Sequence, residues 1–200
     1  MIRLPNFPVP SLRYAAGRLF CAALVSLALA ACSNPPLVDA VDRGDLAAVE
    51  ALLAQGADVN ARNRANDPVL DVAIRKGYAD IAWALLKRNP EVNANGDLGV
   101  TPLMLAVSAD QPELARELVA RGAQIDARDA MGNTALIIMP LSDRPELVRL
   151  LLDHGAQVNA QNQNGLTALM TAAYIGHVAS AGVLLDRGAD VNARTRDGHT

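Results

Sequence analysis

The chain has 200 residues and carries 18 Lys and Arg against 21 Asp and Glu, a formal net charge of −3. Half of it is hydrophobic (51%), yet only 3% is aromatic and two residues are Cys. That balance gives no nucleic-acid footprint and no disulfide framework. The first element along the chain is an export signal. Arg3, Arg13 and Arg18 supply positive charge with no acid, and residues 19–31 are apolar apart from Ser26. The run is too short for a comfortable membrane span and suits the core of a signal peptide.

The run ends in Leu29-Ala30-Ala31-Cys32. This tetrapeptide resembles the box of a bacterial lipoprotein. The resemblance implies cleavage before Cys32, acylation of Cys32 and, with Ser33 following, transfer to the outer membrane. A plain secretory signal, leaving a soluble periplasmic or secreted protein, and an uncleaved anchor are the alternatives. The long charged start also allows a start codon downstream of Met1. Residues 1–31 hold three of the 18 basic residues and no acid, so a mature chain keeps 15 against 21, a net charge of −6. It keeps Cys32 as its single Cys, and no Cys-x-x-Cys pair suggests zinc or dithiol chemistry. Residues 32–36 read as a short tether.

From there on a 33-residue period governs the sequence. Gly56-Ala57, Gly122-Ala123, Gly155-Ala156 and Gly188-Ala189 stand in register, with Asn89-Pro90 in the remaining slot. Four residues after each slot stand Asn60, Asn93, Asp126, Asn159 and Asn192, and an apolar pair such as Leu52-Leu53 or Leu151-Leu152 precedes it. A gapless period of this length marks a solenoid whose units bury their apolar faces on their neighbours.

The unit openings Gly99-Val100-Thr101-Pro102-Leu103, Gly132-Asn133-Thr134-Ala135-Leu136 and Gly165-Leu166-Thr167-Ala168-Leu169 resemble the Gly-x-Thr-Pro-Leu start of an ankyrin repeat. The endings at residues 56–61 and 188–193 match its Gly-Ala-Asp-Val-Asn-Ala close. The resemblance implies an all-α solenoid: five repeats over residues 34–195, each with two short antiparallel helices, and β-hairpin fingers between units. Residues 196–200 begin a sixth unit. Either the fifth unit is the cap or the array is longer, and the absence of a polar closing unit favours the longer array. Within the fifth unit, Thr167 caps a helix over residues 168–174, Gly176 ends it, and a second helix covers residues 178–186. Pro112 and Pro145 fall in the first turn of second helices, where a missing N–H costs nothing.

Two units depart from the pattern. Asn66-Asp67-Pro68 replaces Gly-x-Thr in the second, which predicts a less regular finger. Met139-Pro140 sits within the fourth unit's first helix and should bend it. The His that commonly follows Thr-Pro-Leu in the family is replaced by Met104, Ile137 and Met170, so packing should substitute for its inter-unit hydrogen bonds. His154, His177 and His199 take ordinary positions, and Ser142, Ser180 and Asp153 have no base or orienter beside them. No catalytic residue, metal set or cofactor motif stands out, so no enzyme is expected.

Function then falls to a surface. The resemblance implies partner contact through the finger tips and the concave first-helix face. The first two units offer Asp42, Arg43, Arg62, Arg64, Asp67, Arg75 and Lys76. Later units offer Leu98, Val100, Met131, Leu141, Leu166, Tyr174 and Ile175. Arg62, Arg64 and Arg75 with the apolar set are the candidate partner-binding residues. Contact with a further unit would also explain Tyr174 and Ile175, and ordinary solvation would explain the arginines. The reading is a non-catalytic scaffold, lipid-tethered at Cys32 in the outer membrane and facing the periplasm, that binds a protein and neither nucleic acid nor a small substrate. Alternatives are an immunity-type inhibitor of an envelope-targeted toxin or hydrolase, and the regulatory part of a longer protein.

Overall fold

The computed structural model describes residues 34–96 and 98–200, and among them nine short helices stack, eight in pairs and one alone in its unit. Residues 1–33, which include the expected export signal and Cys32, and Asp97 lie outside the described residues. Helix α1 (Pro36–Arg43) pairs with α2 (Leu46–Ala54), α3 (Val69–Arg75) with α4 (Ala79–Leu86), and α5 (Pro102–Ser108) with α6 (Pro112–Ala120). The fourth unit supplies only α7 (Pro145–Asp153), and the fifth supplies α8 (Ala168–Ile175) and α9 (Val178–Asp186). None exceeds nine residues, too short to persist alone in water, so stacking holds them. The first helices α1, α3 and α5 pack side by side, and so do the second helices α6, α7 and α9. One core of Leu, Val, Ile and Ala runs through the stack.

Local chemistry sets the ends. Thr101 and Thr167 accept hydrogen bonds from the amides of Met104 (3.3 Å) and Met170 (3.2 Å), opening α5 and α8. Pro112 and Pro145 stand at the first helical position of α6 and α7. Gly176, at φ 87°, closes α8 in the left-handed region that a Cβ disfavours.

The fourth unit corrects the expectation of a bent helix. Residues 134–138 make a single turn, with the amides of Ile137 and Ile138 both donating to the Thr134 carbonyl, and no first helix follows. Pro140 removes a helical N–H and its ring collides with the carbonyl four residues back, while Met139 before it is pushed towards extended backbone. In so short a segment the two effects abolish the helix instead of bending it. The cap residue Thr134 is left behind, buried with an unpartnered Oγ1.

The loop at residues 139–144 takes the helix's place and docks on the fifth unit. Asp143 accepts from the amides of Ala179 (2.8 Å) and Ser180 (3.0 Å) and from Ser180 Oγ (2.5 Å). It therefore caps the N-terminus of α9 from one unit away. Burial raises its carboxyl, but these bonds and nearby His177 outweigh that and hold it below its ordinary value. The buried His177 ring reaches the Leu141 carbonyl through Nε2 at 3.1 Å.

The second unit's finger is also regular, contrary to the expectation. Asn66 adopts φ 60°, the role that Gly132 and Gly165 fill at φ 78° and 79°. The Asn63 amide donates to the Asp67 carbonyl and the Asp67 amide to Asn63 Oδ1, the pairing that Asp129 makes with Asn133 and Asn162 with Leu166. Asn tolerates left-handed backbone better than most side chains, so the loss of Gly costs little. Arg62 and Pro68 form an isolated antiparallel bridge, and the fingers are otherwise tight turns more than ladders.

Packing is not the sole link between units either. Asn60, Asn93, Asp126 and Asn159 each accept from the amide 31 residues on, in Glu91, Gln124, Gln157 and Asp190, at 2.8 to 3.1 Å. Asn93 and Asn159 also donate to the carbonyls of Gly122 and Gly188, which the carboxylate of Asp126 cannot do. Ion pairs bridge neighbouring units as well: Lys76 with Asp42 (3.0 Å), Arg144 with Asp110 (2.7 Å) and Arg187 with Asp153 (2.8 Å).

Candidate functional site

The candidate residues fall into two groups, because the first helices separate finger ends from turn ends. Leu166 lies beside the start of α8, whereas Tyr174 and Ile175 form its last turn. Eight residues of helix set them about 12 Å apart along the axis. Arg62, Arg64, Leu98, Val100, Met131 and Leu166 lie in or beside fingers. Leu141 lies at the turn end, joined through its carbonyl to His177.

Arg75 ends α3, in register with Tyr174, but its side chain reaches back to Asp67 on the finger side, where it meets Leu98 and Val100. With Ala65, Asp67, Gly96 and Leu105 they line a groove of about 420 Å³ between the second finger and the third unit. One wall is apolar, from Leu98 (69% exposed), Val100 and Leu105. The other is an ion pair, with Arg75 Nη1 3.0 Å from Asp67 Oδ2. The Arg75 bond holds the Asp67 carboxyl below its ordinary value against the opposing effect of partial burial, and Asn63 and Arg62 add to the lowering. The same bond raises Arg75. Gly96 closes on Asp67 so tightly that a Cβ there would collide with the carboxylate.

Arg62 is committed elsewhere. Its Nη1 donates to the carbonyls of Asn66 and Asn95, both at 2.8 Å, stapling two fingers. Arg128 repeats the staple on Gly132 (2.9 Å) and Gln161 (2.7 Å). Arg64 is exposed on the second finger, and Met131, 60% exposed, protrudes from the fourth unit's finger. Leu166 is half-buried. At the turn ends, Leu141 is 93% and Tyr174 92% exposed. Tyr174 borders a separate apolar groove of about 570 Å³ with Leu169, Met170, Ala173, Leu185 and Val191, on the uncovered side of the fifth unit. Asp42, Arg43 and Lys76 lie outside both grooves.

Sequence reasoning passed over Asp71. It occupies in the second unit the slot that Met104 fills in the third, 33 residues on. It lies on α3 among Leu70, Val72 and Ile74, fully buried, and neither carboxylate oxygen has a hydrogen-bond partner. Burial pushes its carboxyl up to about 8, and neighbouring Asp67 adds to the rise, while Arg75 and Arg62 pull against it. An acid on the apolar side of a helix reading Val-Leu-Asp-Val-Ala-Ile was the available signal.

Paired helices, a 33-residue register and hydrogen-bonded fingers agree with the family comparison. The family model for ankyrin repeats (three copies) matches residues 37–129 and again residues 103–195. The chain belongs to the ankyrin repeat family. Ankyrin repeats generally mediate protein–protein binding and are generally non-catalytic. Against the curated proteins, no match to this chain is found. Among the described residues of this ankyrin repeat protein, no group of three or more His, Cys, Asp and Glu side chains could hold a metal ion.

Proposed function

We propose that this ankyrin repeat chain is a non-catalytic scaffold that holds a protein partner against its finger side, with the groove of Arg75, Leu98 and Val100 at the centre of the contact. The observation that carries this reading is the groove itself. It sets an exposed Leu and a second apolar residue opposite an ion pair, the mixed surface from which interface anchors are made. Its volume lies in the range of ligand-sized binding clefts, ample for a partner's side chain. Leu98→Asp should weaken partner capture from envelope extracts at least tenfold, about 1.4 kcal/mol. Capture unchanged by Leu98→Asp and lost with Tyr174→Ala would move the contact to the turn ends.

The proposal includes a lipid tether at Cys32, in an outer membrane and facing the periplasm. It is supported by the charged start, the apolar run at residues 19–31 and the small residues before Cys32. One acyl chain binds a membrane weakly, so a stable anchor needs the several chains that lipoprotein processing adds. Wild type should take up labelled palmitate and sediment with membranes, and Cys32→Ser should do neither. Equal sedimentation of both without label uptake would remove the tether from the account.

A further inference from the structure

The second unit carries an acid that the binding surface does not use. Asp71 is fully buried and both of its oxygens lack partners, although buried polar groups are rarely left so. Arg75 stands four residues on along α3, the spacing at which helical side chains meet. Yet Arg75 reaches out of the helix to Asp67 on the finger, at 3.0 Å, and forms a groove wall with it. One guanidinium thus has two carboxyls within reach, one bonded and one bare. We propose that Asp71, Arg75 and Asp67 form a proton-operated switch: loss of the Asp71 proton to solvent draws Arg75 from Asp67 onto Asp71, and the groove wall changes from an ion pair to a free carboxylate.

The energetics set the direction. A protonated Asp71 makes no claim on a cation, so Arg75 goes to Asp67, the arrangement in the structure. A bare carboxylate at 71 would cost several kcal/mol unless paired, and Arg75 is the nearest cation on its helix. Burial places the proton's departure near pH 8. Other charges do not compete for the role. Arg62 is tied to two carbonyls, and Lys76 is tied to Asp42 at 3.0 Å. Of the helices packed on α3, α1 brings Asp39, Asp42 and Arg43, α4 brings Asp80, and α5 brings no charge. The charges acting on Asp71 are Arg75, Asp67 and Arg62.

For a partner, the change matters as follows, resting on the reading of the groove as the contact surface. Below the switch the wall is internally neutralised and suits an apolar side chain. Above it, Asp67 is free to accept a partner's Lys or Arg. A cation that binds Asp67 first would in turn favour loss of the Asp71 proton, because linkage is reciprocal.

The test is a carbon-detected NMR titration of the side-chain carboxyls from acid to alkaline pH, with the Arg75 Nε resonance followed in the same samples. Asp71 should titrate near pH 8. Arg75 Nε should move with that midpoint in wild type and show no alkaline transition in Asp71→Asn, which keeps the size and neutrality of the protonated acid. Asp67→Asn should lower the Asp71 midpoint, since it removes both a like charge and the competitor for Arg75. An Asp71 that titrates in the ordinary carboxylate range, an Arg75 that does not move with it, or a midpoint indifferent to Asp67→Asn would each overturn the switch. Backbone amide spectra of both variants check that they fold. No partner enters the titration, so its failure leaves the Leu98→Asp experiment standing, and the reverse holds too.

Discussion

The first three units and the last two obey the same period and yet differ in what they cover. In the third unit Leu103, Met104 and Val107 are buried beneath the fourth. Their counterparts in the fifth, Leu169, Met170 and Ala173, line an open groove. Among the described residues, all exposed large hydrophobic residues except Leu98 and Met131 lie beyond residue 140. The first three units have both helices, and the fourth has one. The difference teaches that the period fixes where contacts fall, while a neighbour decides whether they are buried and one Pro decides whether a helix forms.

The largest effect expected from breaking that comparison lies in the core. Leu151, fully buried on α7 with neighbours on both sides, should cost about 2–5 kcal/mol as Leu151→Ala. Leu52→Ala should cost clearly less, because Leu52 is half-buried and, among the described residues, its unit packs on one neighbour. Denaturant melts of the two variants decide the point, and equal losses would contradict a nearest-neighbour stack.

Asp71 sharpens the comparison from the other half. Its folded value of about 8 lies above the unfolded value of 3.8. The penalty is therefore absent at low pH, grows as pH rises from the unfolded value to the folded one, and is constant above that. Asp71→Asn should gain about 2–4 kcal/mol at neutral pH and flatten that slope. Melts at acid, neutral and alkaline pH measure it. A variant no more stable than wild type at neutral pH would show that Asp71 ionises freely in the folded chain.

Asp143 should have a smaller effect of opposite sign. Losing the cross-unit cap in Asp143→Ala should cost about 1 kcal/mol. Because its folded value is lowered, its contribution is present above the unfolded carboxyl value and is lost as pH falls through the folded one. The variant should therefore lose less stability on acidification than wild type. A variant that matches wild type at neutral pH would leave the 139–144 loop without an energetic role.

Much of this is legible in the sequence. The Gly-Ala register, Thr101 and Thr167 as caps and Pro112 and Pro145 at helix starts follow from local rules that neighbours reinforce. The recurrent Asn was visible as a pattern, but its bond to the amide 31 residues on was not, since that partner is set by stacking. Pro140 predicts a bend from its own lost hydrogen bond, and the restriction it adds on Met139 turns the bend into loss of the helix. Asp71 escaped notice because an acid in a helix is ordinarily solvated. Leu141, Tyr174 and Ile175 read as companions of Leu98 because all are apolar residues of the fingers and first-helix face. Only the length of α8 and the docking of Leu141 on His177 separate them.

The central claim is that a protein partner sits in the groove beside Leu98. A photo-crosslinking amino acid at position 98 tests it directly in cells, with the same group at exposed Arg149 on α7 as the control. The account predicts a discrete protein adduct at position 98 and none at position 149. Adducts at both positions alike, or at position 149 alone, would contradict it.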